Sequence, residues 1–158
     1  MSVDYDRLIK QKLTNIASYV EEITPYLQVP VKGYLKDSGR RRIVERLSQV
    51  IIESAIDTNG LLIERAGNVP PATAYRSFDS VHRLGAIDDQ LTARFHRYVG
   101  LRNRIVHDYD VLDNKIVYYS AKRLLDDAKQ YIRSVYAYLP VLSSVEVSAK
   151  TSEDQKKG

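Results

Sequence analysis

Residues 88–109 read DDQLTARFHRYVGLRNRIVHDY. At about 100° per residue, Leu91, Phe95, Tyr98, Val99, Ile105 and Val106 fall on one face, which predicts a helix with a single apolar side. Asp88 carries a short side-chain oxygen able to accept a free backbone N–H, so the helix starts at Asp89 and runs to about Asp108. Arg102 falls in the middle of the apolar face. A guanidinium there keeps its charge and requires a carboxylate, backbone carbonyls or a ligand phosphate. Asp57, on the preceding long helix, is the candidate for an internal ion pair. A second, polar stripe consists of His96, Gly100, Asn103 and His107, spaced four, three and four apart. Glycine within a helix costs roughly 1 kcal/mol against alanine, so Gly100 suggests close approach by a neighbouring backbone or a ligand. Arg94, Arg97 and Arg104 flank this stripe and make it basic, which suits a polyanion and equally suits an ordinary solvated face.

The flanking sequence is also helical. Ile9, Leu13, Ile16, Val20, Ile23 and Leu27 recur at steps of four and three, predicting a helix over about 4–24. Pro25, Pro30 and Gly33 then predict a loop of about a dozen residues. The next helix begins near Asp37 or Ser38 and runs to Ala66, with Gly67 placed to end it. It carries two apolar stripes, one of Ile43, Leu47, Val50, Ile51, Ser54, Thr58, Leu61 and Leu62, the other of Ile52, Ile56, Asn59 and Ile63. A helix apolar on both sides sits centrally in a bundle or sets one side against a second chain. With four or five helices in all, the second option is expected: a homodimer using the Ile56 stripe and the polar stripe around His107. Pro70 and Pro71 mark a loop, and Ala74–Leu84 a short helix closed by Gly85. A last helix starts at Asp113 or Asn114, buries Val117, Ala121, Leu124, Ala128, Ile132, Val135 and Leu139, and ends at Pro140. The expected fold is an all-α antiparallel four- or five-helix bundle over 1–142, followed by a mobile tail over 143–158, which has little to bury.

With 158 residues, 44% of them hydrophobic, the chain can bury a core without staples. It has no cysteine, which excludes disulfides and thiolate metal sites and fits a reducing compartment. No apolar run is long enough to span a membrane and the N-terminus is charged early, so a cytoplasmic protein with no membrane partner is expected. The histidine spacing suits no metal site, no glycine-rich phosphate loop follows a strand, and no cofactor is expected. A net charge of +4 and a pI near 9.2 permit a nucleic-acid partner without requiring one. Twelve tyrosines against two phenylalanines and no tryptophan suit half-buried positions or a shared interface.

Histidine titrates near neutrality, so His82, His96 and His107 are the candidate proton-transfer groups. The run Leu101-Arg102-Asn103-Arg104-Ile105-Val106-His107-Asp108-Tyr109 is arginine, four residues, histidine, one residue, tyrosine, with asparagine after the arginine. It resembles the motif of the HEPN superfamily and, ending in tyrosine, that of its HepT toxins. The segments ERLSQVIIESAIDTNGLLIERAG, VPPATAYRSF and HRLGAIDDQLTARFHRYVGLRNRIVHDYD follow in family order, so the resemblance covers about residues 5–140. It implies a homodimeric, metal-independent endoribonuclease toxin acting on transfer or messenger RNA. It also implies a minimal nucleotidyltransferase as antitoxin, which transfers adenylate from ATP to Tyr109.

The residue types fit that chemistry. RNA supplies its own nucleophile, the 2′-hydroxyl, so cleavage needs proton transfer and stabilisation of a crowded phosphorane. His107 would move the proton, Arg102 would bind phosphate oxygens through its fork, and Asn103 would orient the phosphate or the histidine. Arg94, Arg97, Arg104 and His96 are the candidate RNA contacts. Arg102 and His107 diverge by about 140° on an ideal helix. Their convergence needs helix distortion, long side-chain reach or a second protomer. If the helix continued, Tyr109 would lie almost directly below Arg102. The competing reading is a non-catalytic helical binding subunit of a nucleotidyltransferase.

Overall fold

The computed structural model describes residues 2–156, with side chains described through residue 140. Six α-helices follow one another: α1 (Tyr5–Ile23), α2 (Val31–Lys36), α3 (Ser38–Arg65), α4 (Ala74–Leu84), α5 (Asp89–His107) and α6 (Asn114–Lys156). Short 3-10 turns lie at Thr24–Leu27 and Tyr109–Val111. No strand occurs among the described residues, and none of their helices is long and apolar enough to cross a membrane. The all-α class is as expected, with more helices than four or five.

Side-chain oxygens start the helices. Asp4, Asp37, Thr73 and Asp88 each accept an N–H from the first turn of α1, α3, α4 and α5. Glycines stop two of them. Gly67 (φ +83°) and Gly85 (φ +91°) adopt the left-handed conformation that side chains avoid. In each case the glycine N–H and the next N–H turn back onto carbonyls of the last turn: Gly67 to Glu64 and Asn68 to Ile63, Gly85 to His82 and Ala86 to Val81.

α3 is the central element and packs against α1, α4, α5 and α6. This corrects the expected use of its second stripe. Ile52, Asn59 and Ile63 are at most 2% exposed, buried in the chain's own core, so they offer no surface to a second chain. Ile56 is half-buried against the same core. Conversely, Ile43 is 37% exposed although assigned to the inner stripe, and Val44 is buried in its place. The polar Asn59 is absorbed internally. It donates to the Ser77 hydroxyl on α4 (3.2 Å) and accepts from the Tyr131 hydroxyl on α6 (2.6 Å). Tyr131 in turn packs beside the stacked rings of Phe78 and Phe95, whose centroids lie 4.9 Å apart.

Two further corrections concern proline. The segment after Pro25 is not a loop throughout. Pro25 enters a 3-10 turn where its missing N–H leaves no hydrogen bond unmade, and Pro30 precedes α2, which buries Tyr34 against α3 and α6. Pro140 lies inside α6 and does not end it. The expected mobile tail, 143–158, lies outside the residues whose side chains are described.

Candidate functional site

The motif occupies the C-terminal turns of α5. The helix stays regular through His107, which removes helix distortion as a route to bring Arg102 and His107 together. Asp108 (φ −122°, ψ 38°) then leaves helical geometry while its N–H still reaches the Arg104 carbonyl at 2.9 Å, and Tyr109–Val111 turns as a 3-10 segment. The helix ends two residues before Tyr109, close to the expected end near Asp108, so the condition for Tyr109 to lie below Arg102 is not met.

Arg102 is half-buried, and its Nε is buried without a hydrogen-bond partner. Asp57 does not supply one. That carboxylate lies on the exposed side of α3 and pairs with Lys12 of α1 at 3.5 Å. Asn103 is half-buried, whereas Arg104, Val106 and His107 are exposed. Val106 was expected inside; at 42% exposure it lies on the open surface beside the motif. Among the described residues no hydrogen bond or ion pair joins Arg102, Asn103, His107 and Tyr109 to one another.

The other half of the polar stripe is committed to structure. His96 Nε2 lies 2.9 Å from an Asp79 carboxylate oxygen on α4, away from the axis of a good hydrogen bond, and its ring meets Tyr75 edge-on. Gly100 is not required by space. A methyl group there would make an ordinary 3.6 Å contact with the Tyr75 hydroxyl. His82 pairs with Asp89 at 2.7 Å, apart from the motif.

The expected basic flank lines a groove of about 430 Å³ between α5 and α6, walled by Arg94, Arg97 and Arg104 with Arg123 from α6. Arg123 was not singled out from the sequence, since nothing in the α6 text marks which of its charges face α5. Arg94 is held by Asp127 (2.9 Å) and Gln130 (3.1 Å), while Asp127 also accepts from the buried Tyr98 hydroxyl. Burial and that bond to a carboxylate push the Tyr98 phenol well above the usual tyrosine range.

Tyr109 faces a different set of residues. It is 51% exposed and lines a polar pocket of about 310 Å³ with Ser38, Arg41, Arg42 and Glu45 of α3. The Glu45 carboxylate in that pocket is only 5% exposed. Burial raises the Glu45 pKa, opposed by the charges of Arg41 and Arg42 and, least, by the nearby Tyr109 hydroxyl. Sequence reading missed Glu45, a charged residue amid a helical text rich in charges.

The family model described as Ribonuclease HepT-like matches residues 16–135. The chain belongs to this family of HEPN ribonucleases. A tRNA nuclease HepT from Aphanizomenon flos-aquae is 27% identical over 135 residues, covering 85% of this chain and 92% of that protein. The tri-AMPylated HEPN toxin of Shewanella oneidensis, solved in complex with an MNT antitoxin, superposes with a TM-score of 0.75 at 24% identity, covering 86% of this chain and 99% of that one. A toxin–antitoxin structure with AMP-PNP gives 0.74 at 23%, covering 85% and 99%. These two structures show that the HEPN toxin fold extends over the described bundle.

Proposed function

We propose that this HepT-like chain is the toxin of a toxin–antitoxin pair, a metal-independent endoribonuclease cleaving tRNA and silenced when a cognate minimal nucleotidyltransferase adenylylates Tyr109. The observation that carries the catalytic assignment is Arg102, a guanidinium on the inward side of α5 with its Nε buried and unpartnered. Such a group is expensive to leave unmatched and well suited to a phosphate. The tRNA nuclease relative supports transfer RNA as the substrate class.

In the proposed reaction the RNA 2′-oxygen bonds to the adjacent phosphorus as its proton is removed, and the bond from phosphorus to the 5′-oxygen breaks. The products are a 2′,3′-cyclic phosphate and a protonated 5′-hydroxyl. His107, exposed at the helix end, transfers the proton. Arg102 stabilises the extra charge of the phosphorane and Asn103 orients the phosphate. On a regular helix Arg102 and His107 diverge, so a homodimer in which a second copy covers Val106 and completes the site is the arrangement we favour. The α5–α6 groove, with Arg97, Arg104 and Arg123, guides the RNA backbone, while Arg94 and His96 act mainly through their partners Asp127 and Asp79.

For silencing, the Tyr109 oxygen bonds to the α-phosphorus of ATP, the bond from that phosphorus to the bridging oxygen breaks, pyrophosphate leaves and the phenolic proton passes to solvent. The exposed position of Tyr109 on a 3-10 turn supports access by a transferase. The test is cleavage of total tRNA by the purified protein in excess chelator, before and after reaction with the nucleotidyltransferase encoded beside it, ATP and magnesium. Cleavage in chelator that disappears as Tyr109 gains adenylate mass is expected. A folded protein that cuts no RNA would favour the binding-subunit reading, and modification elsewhere would remove Tyr109 as the switch.

A further inference from the structure

The pocket beside Tyr109 has a feature that RNA cleavage does not use. Arg41 and Arg42 enter it from the first turns of α3, next to the tyrosine but on another helix. Their neighbour Arg40 is already committed, to the Asp37 carboxylate at 3.4 Å and the Tyr26 carbonyl at 3.1 Å. Arg41 donates one N–H to the Leu35 carbonyl. Among the described residues no carboxylate comes within 4.0 Å of Arg41 or Arg42. Two carboxylates do line the pocket, exposed Asp110 and buried Glu45. Neither is locked to an arginine, and the Tyr109 ring shares the pocket with Glu45.

We infer that Arg41 and Arg42 form an anion subsite that receives the phosphate of an adenylate joined to Tyr109, holding the modified side chain against α3. This rests on the reading of Tyr109 as the modified residue. Esterification has two local consequences. The Tyr109 oxygen loses its hydrogen, and with it any capacity to donate to the Glu45 carboxylate in the same pocket. A phosphodiester of charge about −1 arrives in the same pocket, where guanidinium groups grip phosphate oxygens strongly. The phosphate ties the modified ring to α3, and the linkage is shielded from solvent.

The experiment uses the full chain reacted with its nucleotidyltransferase, ATP and magnesium, with the adenylate site mapped by peptide mass. The modified protein is then exposed to a phosphodiesterase that releases AMP from tyrosine. Arg42→Ala is the primary variant, because Arg42 is exposed and its side chain makes no hydrogen bond or ion pair to the rest of the described fold, and Arg42→Lys keeps the charge. Release about ten-fold faster from modified Arg42→Ala than from wild type, with Arg42→Lys in between, is expected. Equal release from Arg42→Ala and wild type overturns the subsite while leaving Tyr109 modification intact. No adenylate on wild-type Tyr109 overturns the underlying reading and the subsite with it. Should folded Arg42→Ala resist modification, Arg42→Lys decides: restored modification supports capture of an anion, and continued resistance overturns it in favour of a role in docking the transferase.

Discussion

The two halves of α5 differ in how far neighbouring helices supply partners for their polar groups. In the N-terminal half Tyr98 and Arg94 share Asp127 of α6, and His96 lies 2.9 Å from Asp79 of α4 although its Nε2 makes no aligned hydrogen bond. In the C-terminal half Arg102 keeps a buried, unpartnered Nε, and His107 opens to solvent. The same contrast recurs on α3. Asn59 is engaged between α4 and α6, whereas toward the other end the Ser48 hydroxyl is buried without a partner and the buried Glu45 carboxylate forms no ion pair among the described residues. Matched groups fasten helices to one another. An unmatched group costs stability unless something else uses it, which is the reason for proposing that the chemistry lies at the motif end of the bundle.

If the halves divide the labour in this way, substitutions should separate cleavage from stability. His107→Ala should have the largest effect, lowering RNA cleavage by about 10²–10⁴-fold while leaving thermal unfolding unchanged, since the side chain is exposed. A folded variant that still cleaves would break the comparison at its functional end. Arg102→Met should lower cleavage by about 10²–10³-fold and change the unfolding free energy by less than about 1 kcal/mol, because no ion pair is lost. A strongly melted Arg102→Met protein would show instead that the guanidinium supports the core.

Asp127→Ala should do the reverse. It leaves Arg94 without its carboxylate and the buried Tyr98 hydroxyl without its acceptor, costing about 3 kcal/mol in denaturant unfolding. Cleavage by the folded fraction at low temperature should persist, and its loss would extend the site into the N-terminal half. The smallest effect is expected for Glu45→Gln. Burial raises the Glu45 pKa in the folded state, so the wild type is favoured at acid pH and loses that stability as pH rises through the carboxylate range toward the raised value. The variant should match wild type at acid pH and exceed it near neutrality. Melting curves across pH that stay parallel would mean Glu45 is fully compensated by Arg41 and Arg42.

Much of the fold was legible because caps and apolar spacing act locally. Asp88, Gly85 and Gly67 bound their helices as expected, and Ile9, Leu13, Ile16, Val20 and Ile23 all face inward. The motif was legible for the same reason, being contiguous on one helix. Misreadings arose where more than one element was involved. Spacing along α3 could not tell whether Ile52 and Ile63 met another chain or α4, α5 and α6, and facing angles alone paired Arg102 with an Asp57 that belongs to Lys12.

The sequence by itself determined an all-helical chain, the places where most of its helices start and stop, and an arginine–histidine–tyrosine run of the HEPN kind, because each depends on residues within a few turns of one another. Only the tertiary structure decided that α3 is buried on both sides within one chain, that α5 stops at His107, and that Tyr109 consequently turns away from Arg102 toward Glu45, Arg41 and Arg42. Those outcomes depend on which distant helix arrives at which face, and local propensity carries no information about that pairing.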